Sequence, residues 1–319
     1  VRVLITGATG FVGKHLAMYW HQTAPSVVLF GTTLQATPPE AHITYTELEL
    51  RDATAVEALL ASTRPDAIVH LAGQASIDQS FKDAWGTFEN NLQPQLNLFQ
   101  ACLRLSIQPR ILIITSAEIY GKIRPENLPL SEDTPFRPVN PYSVSKAAQD
   151  LLAQQFFFTY GLPIIRARPF NHLGPGQSES FVATSFAMQI ARIEANLQEP
   201  VIRVGNLSSS RDFTDVRDIV RAYALLLHGG EVGESYNIAS GQNITIAHLL
   251  NTLLSFCPRE IQIFTDTDRL RPIDVPVISA NYDRLHQATG WRPQISLEQT
   301  LRDVLDDCRQ RVQQLHRSN

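Results

Sequence analysis

Cysteine is scarce, with 3 in 319 residues. Cys102, Cys257 and Cys308 stand far apart with no paired spacing, which argues against a disulfide framework or a thiolate metal site and suits a reducing cytoplasm. None of the 9 histidines shows ligand spacing, so no metal is expected. Long apolar runs are missing too: none approaches the ~20 residues of a membrane span. The opening Val1-Arg2-Val3-Leu4-Ile5 lacks a signal-peptide layout. A cytoplasmic protein with no membrane partner is the expectation. There is no excess of positive charge, 27 Lys+Arg against 31 Asp+Glu giving a net charge of -4, and hence no electrostatic footprint for a nucleic acid. Internal repeats and low-complexity segments are also missing.

What remains is an ordinary globular composition, 44% hydrophobic and 18% charged, long enough for one large core or two modest ones. The first half alternates short apolar runs with helical patterns, the rhythm of a parallel sheet wrapped by helices. Strands are predicted at Val3 to Thr6, Val27 to Gly31, Ile43 to Leu48, Ala67 to Leu71, Ile111 to Thr115 and Ile164 to Ala167. Helices are predicted from Val12 to His21, Ala53 to Ala61 with Asp52 as N-cap, Thr87 to Leu105, and Pro141 to Tyr160. After Arg168 the texture turns to Pro, Gly, Ser and Asn, marking a change of domain. A helix near Asp215 to Leu227 and a strand near Ser235 to Ala239 return to the sheet. The expected division is therefore 1–169 plus about 213–240 for a dinucleotide-binding domain. A smaller C-terminal domain takes about 170–212 plus 241–319.

The first strand runs into Gly7-Ala8-Thr9-Gly10-Phe11-Val12-Gly13 and then a helix. Gly7 permits a tight turn, Gly10 lets the backbone approach a pyrophosphate, and Gly13 lets the helix pack closely on the strand. The helix start at Phe11 and Val12 offers free N–H groups. A carboxylate for the ribose hydroxyls is missing at the end of the second strand, Gly31-Thr32-Thr33-Leu34. That leaves Thr32 and Thr33 to accept a 2'-phosphate, so the cofactor is NADP or NAD, with NADP favoured. Asp52 suits either an adenine amino group or its capping role. Leu71, Ala72 and Gly73 end a strand with small residues against which a cofactor fits.

Asn140-Pro141-Tyr142-Ser143-Val144-Ser145-Lys146 begins a helix with Tyr142 and Lys146 one turn apart on the same face. A phenol with a reference pKa near 10 becomes a useful acid–base group when a nearby ammonium and an oxidised nicotinamide favour phenolate. Ser116 follows the strand ending Ile113-Ile114-Thr115 and lies at the carboxyl edge, where open α/β sheets bind ligands.

In this order, glycine loop, strand-end serine and Tyr-x-x-x-Lys, the chain resembles the extended short-chain dehydrogenase/reductase family across essentially its whole length. The resemblance implies an α/β fold with a doubly wound parallel sheet (Rossmann) and a smaller nucleotide-sugar-binding domain. It further implies that Ser116 and Tyr142 bond the substrate oxygen, that Lys146 positions the ribose, that Pro169 lies against the cofactor, and that the enzyme is a homodimer. The motifs Phe170-Asn171-His172-Leu173-Gly174-Pro175-Gly176-Gln177, Ser180-Phe181-Val182, Arg211-Asp212-Phe213-Thr214-Asp215 and Leu270-Arg271-Pro272 resemble the branch that takes a GDP-linked sugar. On that likeness Asn171 and Val182 support the sugar and guanine parts. Arg211 and Arg271 suit a diphosphate, because a planar guanidinium donates two parallel hydrogen bonds.

Two reactions fit the branch. One is NAD(P)H-dependent reduction of the C4 ketone of GDP-4-keto-6-deoxy-D-mannose to GDP-D-rhamnose, for which Ser116-Ala117 is the matching pattern. The other is 4,6-dehydration of GDP-mannose, for which Glu118 stands where the base that removes the C5 proton would be. A non-catalytic dinucleotide sensor is a third reading, though a sensor has little need of Tyr142 and Lys146. Pro94, where relatives often have Gly, is expected to alter the start of its helix.

Overall fold

The computed structural model describes residues 1–36, 42–267 and 279–317. In chain order these form β1 (Arg2–Thr6), α1 (Phe11–Thr23), β2 (Val28–Thr33), β3 (Thr44–Glu47), α2 (Ala53–Thr63), β4 (Ala67–His70), α3 (Ile77–Lys82), α4 (Ala84–Arg104) and β5 (Arg110–Ile114). After a 3-10 turn at Ala117–Tyr120 come α5 (Pro141–Tyr160), β6 (Ile164–Pro169), β7 (Asn171–Leu173), α6 (Val182–Glu194), β8 (Val201–Val204), β9 (Ser210–Asp215) and α7 (Val216–Gly229). The chain continues with β10 (Ser235–Ile238), β11 (Asn243–Thr245), α8 (Ile246–Ser255), β12 (Gln262–Thr265), α9 (Asp283–Thr289) and α10 (Leu297–Arg317).

A seven-stranded sheet has the order β10-β6-β5-β4-β1-β2-β3, every pair parallel. Its central strands β4 and β5 read as nearly unbroken apolar runs because helices cover both faces; all four residues of β4 are buried. One face packs Leu4, Ile68, Ile111 and Ile113 under α2, α4 and α5. The other packs Val3, Ile5, Val69, Leu112, Ile114 and Ala167 under α1 and α7. Each of these Val, Leu and Ile side chains contributes about 1.5–3 kcal/mol by leaving water. The strand order turns back between β1 and β4, which opens a crevice at their carboxyl ends.

A second cluster joins α6, α8, β8 and α10 through Phe186, Ile190, Leu249, Leu301 and Leu305. It lies with a three-stranded sheet, β11-β9-β7, and a two-stranded one, β12-β8. Leu285 and Trp291 pack instead into the cluster under α1 and α7, so residues 283–291 sit against the large sheet. No helix among the described residues is long and apolar enough to cross a membrane.

Local chemistry explains the helix that matters most. Asn140 and Ser143 form a reciprocal capping box, Pro141 occupies the first helical position, and Gly161 ends α5 in the left-handed region at φ 66. Pro94 lies buried in the interior of α4, well after its start at Ala84, which Asp83 caps.

Candidate active site

At the end of β1 the chain turns at Gly7, φ +66, where an added Cβ would lie 3.0 Å from the Ala72 Cα. A Cβ on Gly13 would lie 2.5 Å from the Gly7 carbonyl oxygen and 2.7 Å from the Ala8 Cα. Gly10 caps α1 without a side-chain hydrogen bond, so no side chain of the cap competes for the first-turn amides. This cradle fits the diphosphate of a dinucleotide: close-packed backbone, a helix start, and Ala72 of the β4 end alongside.

The flanking predictions resolve differently. Thr32 is buried, and its hydroxyl accepts the Gly7 amide at 3.1 Å, so it braces the turn. The Thr33 hydroxyl donates to the Gln35 carbonyl at 2.9 Å and receives the Thr9 hydroxyl at 3.4 Å. Asp52 is exposed and caps α2, accepting the amides of Thr54 and Ala55 at 2.9 and 3.1 Å. Phe11 and Val12 are half-buried, and the Phe11 ring stacks on His172 with centroids 6.3 Å apart. Pro169 is buried at the end of β6.

Tyr142 and Lys146 lie on the inner face of α5, 8% and 7% exposed. Ser116 lies close enough to the Tyr142 phenol to lower its pKa, and it caps the 3-10 turn after β5 by accepting the Glu118 amide at 3.2 Å. The Lys146 ammonium donates to the Ile114 carbonyl at 3.0 Å. Burial pushes the Tyr142 pKa up to about 12; the neighbouring Ser116 hydroxyl works against this and the half-buried Glu118 carboxylate adds to it. In the chain by itself the phenol is held neutral; the expected acidic phenol is one beside both an ammonium and an oxidised nicotinamide. Desolvation is the largest cause. Burial likewise pushes Lys146 down to about 8.

On the other flank Asn171 is exposed, while Arg211 at β9 and Val182 at the start of α6 are half-buried. Arg211 donates to the Ser210 carbonyl at 2.8 Å. Arg271 lies outside the described residues.

Several residues around the site escaped the sequence reading. Asn91 is wholly buried; it accepts the Gln74 amide at 2.7 Å and donates to Ser145 at 2.8 Å, tying the β4 end to α5. An Asn and a Gln, Asn91 and Gln95, on the apolar face of α4 were the available signal. His70 bonds Thr6 at 2.8 Å and burial drops its pKa to about 3, with Lys146 adding to the effect. Asp150 of α5 binds Arg168 at 2.8 and 2.9 Å and Arg166 at 3.0 Å, all three buried. Nothing local in the sequence distinguishes that pairing from surface charge.

Comparison with known proteins agrees with this arrangement. The model of the family described as GDP-mannose 4,6 dehydratase matches residues 4–304. The chain is 38% identical to the GDP-6-deoxy-D-mannose reductase of Pseudomonas aeruginosa over 98% of its own length and 99% of the relative's. Among solved structures, RMD from Pseudomonas aeruginosa complexed with NADPH superposes with a TM-score of 0.86 at 37% identity, covering 97% of this chain and 99% of that one. The UDP-glucose 4-epimerase of Thermus thermophilus in complex with NAD gives 0.84 at 28% identity, covering 97% and 99%.

Proposed function

The chain belongs to the GDP-mannose 4,6 dehydratase family, and from that premise we propose that it reduces the C4 ketone of GDP-4-keto-6-deoxy-D-mannose to GDP-D-rhamnose. The cofactor is NADPH or NADH, held by the Gly7–Gly13 cradle, Leu71 to Gly73, Lys146 and Pro169. The reading favours NADPH because no carboxylate follows β2 to repel a 2'-phosphate, and because a relative of 37% identity has NADPH in its structure. One observation carries the proposal: the buried phenol of Tyr142 stands beside Ser116 at the carboxyl edge of the sheet, with the buried Lys146 one turn along the same helix.

Reduction needs a proton donor, and burial keeps the proton on Tyr142 until it is called for. A bound reduced nicotinamide supplies the hydride that converts the carbonyl carbon. Ser116 orients the carbonyl oxygen and stabilises its developing charge, while Tyr142 transfers its proton to that oxygen. The phenolate left behind is stabilised by the neighbouring Ser116 hydroxyl and by the Lys146 ammonium, and it regains its proton from solvent. Arg211 clamps the diphosphate, with Arg271 in the same role; Asn171 and Val182 face the sugar and base. Residues 1–169 with 213–240 serve the cofactor, and 170–212 with 241–319 the sugar nucleotide.

Glu118 favours the second reading, 4,6-dehydration of GDP-mannose, since it stands close enough to influence Tyr142. The test supplies GDP-mannose and GDP-4-keto-6-deoxymannose in parallel, each with NADPH or NADH. Steady loss of reduced nicotinamide with the keto sugar alone is expected. Dehydration of GDP-mannose without net loss would replace the first reading by the second.

A homodimer belongs to the same proposal. Val144, Leu151 and Phe158 recur at helical spacing on α5, 39%, 54% and 72% exposed, and Trp85 at the start of α4 is 73% exposed. Such an apolar stripe is costly in water and suits a second copy. A dimer mass by light scattering is expected. The free cysteines suit a cytoplasmic setting.

A further inference from the structure

Three residues share the inner face of α5 at intervals of one helical turn: Tyr142, Lys146 and Asp150. The reaction uses the first two. Asp150 is wholly buried, and no step of the reaction calls on it. Its carboxylate is nevertheless fully engaged. One oxygen accepts Arg166 at 3.0 Å and Arg168 at 2.9 Å, and the other accepts Arg168 at 2.8 Å and the Thr115 hydroxyl at 3.3 Å. Both arginines belong to β6 and reach onward. Arg166 donates to the Gly233 carbonyl at 2.8 Å, and Arg168 to the Glu132 carbonyl at 2.7 Å and the Tyr120 hydroxyl at 3.1 Å.

Stability alone is a poor reason for such a cluster. Two guanidinium groups and a carboxylate lose their hydration here, and apolar residues of similar volume often stabilise a fold as well or better. What apolar packing lacks is direction. The buried apolar residues of α5 around Asp150 are Ala147, Ala153 and Phe156; they hold the helix against the sheet without setting its place along the strands. Charge-assisted hydrogen bonds have preferred angles and do set it.

The second observation is where these bonds fall. Thr115 directly precedes Ser116, and Ile114, before it, accepts the Lys146 ammonium at 3.0 Å. The end of β5 is thus fastened to α5 twice, by the lysine and by Asp150. At 1.5 Å per residue Asp150 lies about 12 Å along the helix from Tyr142, so a slide or turn at this anchor is carried to the phenol.

We propose that Asp150 is a positioning residue for the reduction: by gripping Thr115 and the two β6 arginines it sets the register of α5, so that Tyr142 meets the carbonyl oxygen that Ser116 orients. Asp150 touches no substrate and moves no proton. The inference rests on the reading of Tyr142 and Ser116 as the catalytic pair and deepens it by assigning what holds the pair in register.

Two substitutions at Thr115 separate this role from a structural one. Thr115→Val keeps the shape, leaves Asp150 both arginines, and removes the bond to the end of β5; the Ala167 carbonyl, 3.1 Å from the same hydroxyl, keeps the Thr115 amide at 2.8 Å. Thr115→Ser keeps the hydroxyl. NADPH oxidation by the keto sugar is followed in a single turnover, so that product release does not mask the chemical step. KM for the GDP-sugar and Kd for NADPH are measured alongside. Thr115→Val should slow the single turnover roughly tenfold, less than the ~100-fold that a 1 Å misplacement brings, with KM and Kd nearly unchanged. Thr115→Ser should match wild type. Asp150→Asn should show the same split enlarged toward ~100-fold where it folds, and where it does not fold the threonine pair decides.

A wild-type rate in Thr115→Val overturns the proposal. Equal losses in the valine and serine variants overturn it too, since they would assign the effect to side-chain packing. So does a parallel weakening of KM and Kd, the mark of a general loosening. A wild-type chain that turns over neither the keto sugar nor GDP-mannose would instead overturn the catalytic reading itself, before any variant is compared.

Discussion

Around the glycine loop the close contacts are made by main chain, whereas around β7 and β9 they are made by side chains reaching in from distant elements. In the loop the Gly10 amide meets the Gly7 carbonyl at 3.0 Å and the Lys14 amide meets the Gly10 carbonyl at 3.0 Å. On the other flank Asp307 of α10 accepts the Gly176 amide at 2.9 Å, and Arg311 donates to the Gln177 carbonyl at 3.0 Å. Buried Asp212 collects the Ser240 and Gly241 amides at 2.7 and 2.9 Å. A region built from backbone depends on the absence of side chains and fails when one is added. A region built from side chains degrades by degrees, one contact at a time.

The sharpest test lies where the flanks meet. Tyr142→Phe should lower kcat by roughly 10²–10⁴-fold, the usual range for a lost proton donor, while leaving Kd for NADPH and KM for the keto sugar nearly unchanged. Arg211→Ala should act on one flank only. Losing a charge-assisted contact of about 1.5–3 kcal/mol raises KM for the GDP-sugar some ten- to hundredfold, with Kd for NADPH unaltered in a binding titration. Equal weakening of both ligands would erase the distinction between the flanks.

Gly13→Ala probes the other side. With backbone on every hand at 2.5 to 2.7 Å, the methyl group forces the loop apart. A stability loss of about 1–3 kcal/mol is expected from a melt or denaturant titration, together with weaker NADPH binding. A variant that binds NADPH like wild type would show that the cradle has slack.

The mildest effect is on the pH profile. Lys146 loses its proton as pH rises through about 8, so reduction should decline above that pH. Lys146→Arg, which stays cationic, should show lower activity without the decline. Stability moves the other way. An unfolded lysine keeps its proton to about 10.4, so between roughly pH 8 and 10 the unfolded chain binds more protons and the Lys146 contribution to stability grows with pH. On the acid side His70 gives a matching slope: its depressed pKa means stability present above about 6.5 is lost as pH falls toward 3. A melting temperature flat from pH 7 to 4 would remove His70 from the account.

The strands of the large sheet were legible because central parallel strands are apolar on both faces, so runs such as Ile111 to Ile114 stand out without any knowledge of their partners. Tyr142 and Lys146 were legible for a similar reason, since a fixed helical turn converts spacing into a shared face. Asn91 and His70 were not. Each sits on a face otherwise read as apolar, and only packing shows whether the polar atom there is paired. The Asp150 pairing with Arg166 and Arg168 joins two elements whose approach no local pattern announces.

By itself the order of residues determined the succession of strands and helices, the glycine turn and the juxtaposition of phenol and amine along one helix, because these follow from steric preferences within a few neighbouring residues. Tertiary structure alone decided how firmly each of those groups holds its proton. Desolvation by residues remote in the chain holds Tyr142 as a phenol and eases the proton from Lys146, and the loss of water around a side chain is a property of packing that local sequence does not contain.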